Sequence, residues 1–89
     1  PVTVALIQLD CTSAEPVESR IERVHELVGE AAKRADLVVL PELWHVGAFD
    51  IEAARANAEP IDGPLVTGLC ALAKEHGVWL HGGSFAEID

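Results

Sequence analysis

Glu42 follows the unbroken aliphatic run Leu37-Val38-Val39-Leu40 with only Pro41 between them. A short aliphatic run with two β-branched residues reads as a strand buried on both faces. Proline cannot donate to a ladder, so Pro41 marks the end of regular pairing. Glu42 is thereby expected at the carboxyl end of a buried strand, where open α/β sheets hold ligands and catalytic groups. Its apolar neighbours Leu43 and Trp44 would disfavour the charged carboxylate and suit a general base that takes a proton from a nucleophile or from water. The plainer alternative is an exposed acid that caps the loop or pairs with an arginine.

Other groups offer less. Glu42 and His45 form Glu-x-x-His, a spacing used twice in carboxylate-bridged di-metal bundles. That chemistry needs both residues on one helical face and a second copy of the motif. Here the pair follows a strand and a proline, and there is no second copy. His25 and His76 fit helix surfaces and His81 a strand end, without ligand spacing, so no metal is expected. Cys70 falls inside a helical stretch, where a small buried thiol is the usual case. Cys11 follows the first strand, with no local base or oxyanion donor. Gly63, Gly82 and Gly83 suggest turns, and no glycine motif for cradling phosphates is present.

The elements that must position Glu42 follow from periodicity. Residues 2–9 (VTVALIQL) read as a strand, and 10–16 as a loop with helix-start chemistry. Val17, Ile21, Val24, Val28, Ala31 and Ala35 then define one helical stripe. Glu18, Arg20, Glu22, Arg23, Glu26, Glu30, Lys33 and Arg34 fall between them and read as a solvated helix surface. After the strand at 37–40 and the loop LWHVGAF comes a short helix at 51–57, then a turn cluster at 59–64. Pro64 suits the first position of a further helix and Asp62 a cap before it. Leu65, Leu69, Leu72 and Ala73 form that helix's stripe, and Gly77 ends it. Residues 78–80 (VWL) read as a third strand, and a fourth is expected from Phe85 onward. Strand, helix, strand, helix, helix, strand is an α/β order that implies parallel strands joined by right-handed crossovers.

Length and charge set the outer limits. Eighty-nine residues make one domain at most. The strands are apolar on both faces, and two main helices cannot cover both faces and guard the edges. The chain is therefore expected to be the amino-terminal part of a larger domain. Fifteen acidic against six basic residues give a net charge of −9. A nucleic acid or an anionic membrane as partner is not expected, since each calls for a basic surface. No stretch nears the roughly 18 apolar residues of a membrane span. The absence of a secretory pattern and the two unpatterned cysteines point to a reducing, cytoplasmic setting.

VALIQLD, ADLVVLPELW, the following GAF, and EPIDGPLVTGLCALAKEHGVWLHGGSFAE together resemble the amino-terminal part of the nitrilase superfamily, the carbon–nitrogen hydrolases. The resemblance covers essentially the whole chain. Its most specific part is ADLVVLPE followed, in order and spacing, by GP, LAKEHGV and GGS. It implies an α-β-β-α sandwich and no cofactor. It also implies a small-molecule amide or nitrile substrate, a linear amide foremost, and a homo-oligomeric full-length enzyme.

In that family a Glu–Lys–Cys triad hydrolyses non-peptide C–N bonds through a thioester, and Glu42 matches the glutamate, the general base. Trp44, Val46 and Phe49 follow it and are candidates for the substrate pocket; ordinary loop packing is the alternative. The chain departs from the pattern in lacking the lysine and cysteine motifs. Lys33 and Lys74 match neither role, and Cys11 and Cys70 lie outside any nucleophile motif. The 89 residues alone are therefore expected to be inactive. An alternative is a non-catalytic family member or an assembly module.

Overall fold

The structure is a computed structural model that describes residues 1–10, 15–47 and 50–88. Cys11 and Phe49 lie outside the described residues. Three parallel strands, β1 (Val4–Leu6), β2 (Leu37–Val39) and β3 (Trp79–His81), form a sheet in the order β1-β2-β3. The register pairs Val4 with Leu37 and Trp79, and Leu6 with Val39 and His81. The sheet is stitched beyond the strands by Ile7 N–H to Val39 O (2.9 Å), Leu40 N–H to His81 O (2.8 Å) and Trp79 N–H to Asp36 O (3.0 Å). The strands are shorter than the apolar runs from which they are read.

Three helices, α1 (Val17–Ala32), α2 (Ile51–Asn57) and α3 (Pro64–His76), connect the strands. Because the sheet order follows the chain order, two crossovers of the same hand deliver α1 and α3 to the same face. The two helices pack on each other there, α1 over β2 and α3 over β3. The core is this layer: Val24 and Val28 from α1, Val38 and Leu40 from the central strand, and Leu65, Leu69 and Leu72 from α3. Each such side chain, taken from water, contributes about 1.5–3 kcal/mol.

Strand alternation then leaves the other face of the sheet open. Val4, Leu6 and Trp79 are 48%, 77% and 79% exposed, while Ala5, Val38 and Leu80 face the helices. Burial of the strands on both faces is thus not realised within these residues.

Four further local expectations are corrected. Asp62 does not cap α3: Gly63 occupies the cap position, and Glu59 Oε1 reaches in to accept from Leu65 N–H at 2.8 Å. In place of a strand from Phe85, the segment makes an isolated parallel bridge from Glu87 to Glu59. Cys70 is exposed, because it lies off the Leu65–Leu69–Leu72 stripe. Arg20 is buried to 1% exposure, not solvated. Gly77 closes α3 at φ 62°, as a left-handed terminal glycine does.

Candidate active site at the carboxyl end of the central strand

The chain leaves β2 through Leu40 and Pro41 and turns at once. Leu43, the residue after Glu42, has φ 48° and is the only non-glycine residue with positive φ among those described. A left-handed leucine costs roughly 1–2 kcal/mol, so the surroundings must over-determine the turn. They do so from three directions.

Ser84 Oγ accepts the Leu43 N–H at 3.1 Å, and Leu43 O accepts from Gly47 N–H at 2.7 Å. The Trp44 indole is 1% exposed and points inward, where its Nε1–H donates to Gly82 O at 2.9 Å. Gly83, at φ 72°, approaches so closely that a Cβ there would collide with the Pro41 carbonyl. The third direction is α1. Arg20 donates from Nη1 to the carbonyls of both Trp44 and His45, each at 3.2 Å, and from Nε to Glu15 Oε1 at 3.2 Å.

Glu15 also accepts from Arg23, at 2.6 Å and 3.1 Å, and Arg23 reaches Asp10 O at 2.9 Å. One polar chain thus ties the segment after β1, the start of α1 and the turn after β2. The Arg23 hydrogen bonds first, then those of Arg20, hold the Glu15 carboxyl below the usual carboxylate range.

His45 is 1% exposed and turns away from solvent beneath the turn. Its ring meets Trp44 edge-on, with centroids 5.9 Å apart. Nε2 lies 4.0 Å from Glu59 Oε2, and the buried Nδ1 has no hydrogen-bond partner among the described residues. Burial pushes the imidazole below its ordinary value; the Glu59 carboxylate opposes this and the Arg20 guanidinium adds to it. Burial thus disfavours the charged imidazolium at His45.

With Leu43 turned left-handed and Trp44 drawn inward, Glu42 is left exposed at the rim of the sheet. The apolar shell expected around its carboxylate is not supplied by these two neighbours. Glu42 instead lines a cavity of about 270 Å³ with Leu40, His81, Gly83 and Ser84. Parallel pairing of β2 with β3 brings these residues together, since both strands end at the same rim. His81 Nδ1 accepts from Gly83 N–H at 3.3 Å.

Of the pocket positions expected from sequence, Trp44 and Val46 are core side chains at 1% and 2% exposure and do not line this cavity. Cys70 is on the wall of a different, apolar cavity of about 260 Å³ with Val66, Ala73 and Phe85. Lys33 pairs with Glu30 at 3.0 Å on the surface of the chain, and Lys74 is exposed at the end of α3. His45 and Glu42 part company, one buried and one exposed. Among the described residues no group of three or more His, Cys, Asp or Glu side chains is placed to hold a metal ion.

Sequence reasoning missed three participants. His81 and Ser84 follow from the adjacency of parallel strand ends and were legible in VWLHGGS once that pairing is known. Arg20 lies four residues before Val24, on the buried stripe itself, and this spacing was the available signal.

Residues 3–88 match the family model described as carbon-nitrogen hydrolase. The chain is 42% identical over 82 residues to a 2-oxoglutaramate amidase of Paenarthrobacter nicotinovorans, covering 92% of this chain and 28% of that protein. It is 39% identical over 85 residues to a deaminated glutathione amidase of Bos taurus, covering 94% and 25%. It is 37% identical over 87 residues to an omega-amidase of Mus musculus, covering 97% and 30%. The chain thus spans about a quarter to a third of the length of these relatives. With residues 3–88 matching that model, and with relatives of 37–42% identity across nearly the whole chain, the chain belongs to the carbon–nitrogen hydrolases.

Proposed function

We propose that Glu42 is the general base of an amidase that hydrolyses a small linear amide, and that the 89 residues supply this base without its partners. The observation that carries the reading is the exposed Glu42 carboxylate at the carboxyl end of β2, lining a cavity, in a chain that matches the family over residues 3–88. The names of the relatives, all amidases, favour an amide over a nitrile.

In this mechanism Glu42 accepts the proton of a cysteine thiol, and the thiolate attacks the amide carbonyl carbon. A lysine stabilises the tetrahedral oxyanion. Collapse breaks the C–N bond, and Glu42 returns its proton to the departing ammonia. Water, deprotonated by Glu42, then attacks the thioester and releases the carboxylic acid and the thiol. The cysteine and lysine are those of the family triad; Cys11, Cys70, Lys33 and Lys74 fill neither place, so the 89 residues alone are proposed to be inactive.

The open face of the sheet is proposed to pack against a second sheet, completing the α-β-β-α sandwich of which these residues are the amino-terminal part. Trp44 and Val46 then support the pocket from beneath, and Phe49 remains a candidate for its wall.

In the whole protein, Glu42→Gln keeps the shape and removes the base. It is expected to lower kcat on 2-oxoglutaramate by roughly 10²- to 10⁴-fold with the melting temperature nearly unchanged. Normal formation of the acyl-enzyme by this variant would defeat the assignment.

A further inference from the structure

We propose that Arg20 is a positioning residue for the candidate base: from α1 it holds the turn that presents Glu42, by donating to the carbonyls of Trp44 and His45. The inference rests on the assignment of Glu42 as base and deepens it.

A guanidinium at 1% exposure on the inner stripe of a helix occupies a place where a leucine would pack. Burying that charge is unfavourable unless its donors are met, and well-packed apolar replacements of such groups are often as stable or more so. Stability by itself thus gives little reason for an arginine here. What Arg20 does that a leucine could not is satisfy two successive carbonyls of one turn, at 3.2 Å each, two and three residues after Glu42.

The turn has particular need of such a fastening. Its left-handed residue, Leu43, directly follows Glu42, and the Ser84 and Gly82 contacts both pull from the β3 side. Arg20 supplies the opposing hold from α1. Its orientation is set in turn by Glu15, which Arg23 fixes from the next helical turn. A base must sit within hydrogen-bond reach of the proton that it takes, and a displacement of about 1 Å is worth on the order of 10²-fold in rate. Slackening the turn should therefore reduce turnover more than substrate binding.

The test uses the whole protein carrying Trp79→Phe, so that of the two tryptophans in these residues only Trp44 reports on its surroundings. Arg20→Met keeps the stem and removes the charge; Arg20→Lys keeps a charged donor for the carbonyls but gives up the fork to Glu15. Expected for Arg20→Met are a kcat on 2-oxoglutaramate lowered at least tenfold, a KM within threefold, and acrylamide quenching of Trp44 at least doubled. Arg20→Lys should fall between, with kcat three- to tenfold down.

A kcat within threefold of the parent for Arg20→Met overturns the proposal, as does a lowered kcat with unchanged Trp44 quenching. Should Arg20→Met fail to fold, Arg20→Lys decides: parental kcat and quenching overturn the proposal, and a fall in the first with a rise in the second supports it. Glu42→Gln measured alongside separates the two ideas. Full turnover there removes the base itself, whereas an inactive Glu42→Gln beside a fully active Arg20→Met removes only the role of Arg20.

Discussion

Gly83 lies against the carbonyl of Pro41, closer than any residue with a Cβ can come, and so brings the segment after β3 directly beneath the turn that carries Glu42. The contact joins two strand ends that are 42 residues apart in the chain, and it depends on the left-handed φ of 72° at Gly83.

Gly83→Ala is accordingly expected to be severe for its size. It adds a collision with backbone, which cannot swing aside, to a φ that alanine disfavours. A loss of about 1–3 kcal/mol or more in unfolding free energy is expected, with kcat on an amide reduced as the turn shifts. Denaturant unfolding measures the first quantity. A change under about 0.5 kcal/mol would mean that the two strand ends separate easily.

Buried His45 makes stability depend on pH in a defined direction. Its folded-state value is pushed below the ordinary value of about 6.5, mainly by burial. Between the two values the unfolded chain binds the proton more readily than the folded one. The stability that a neutral His45 allows is thus fully present above about pH 6.5 and is lost as the pH falls through the lowered value. The denaturation midpoint should drop between pH 7 and pH 5, and His45→Gln should remove that part of the drop. Glu59→Gln, which takes away the opposing carboxylate, should deepen it. Equal pH profiles for the parent and His45→Gln would contradict the assignment.

Trp79 tests whether the open face is covered in the whole protein. It is 79% exposed here and shares that face with Val4 and Leu37. If a second sheet packs there, tryptophan emission from this position should be blue-shifted in the whole protein relative to the 89-residue chain. Trp79→Ala should then cost the whole protein about 3–5 kcal/mol. Emission equally red in both would leave the sandwich without support from this face.

Much of the fold was legible because burial imposes a period. The α1 stripe, the Leu65–Leu69–Leu72 stripe and the aliphatic run before Pro41 each state which side faces the core. Gly77 and Pro64 mark ends that only their backbone chemistry suits. Where local signals misled, the deciding contact came from elsewhere in the chain. Glu59, five residues before Pro64, displaces Asp62 as the cap of α3. Arg20 read as one more charge on a solvated helix until Trp44 and His45 presented their carbonyls to it.

The sequence by itself determined the three helices, the three strands of the sheet, their parallel order and the position of Glu42 just past the central strand, since these depend on periodicity and on residues adjacent in the chain. It also carried the family, through motifs whose order and spacing no single element supplies. Only the tertiary structure decided which face of the sheet the helices cover, because this depends on both crossovers having the same hand. It alone brought His81, Gly83 and Ser84 to Glu42, and turned Trp44 and His45 inward while Glu42 stayed out. Those placements depend on parallel pairing, on the contacts from Ser84 and Gly82 that hold Leu43 left-handed and Trp44 inward, and on a buried arginine, and each is a relation between residues far apart in the chain.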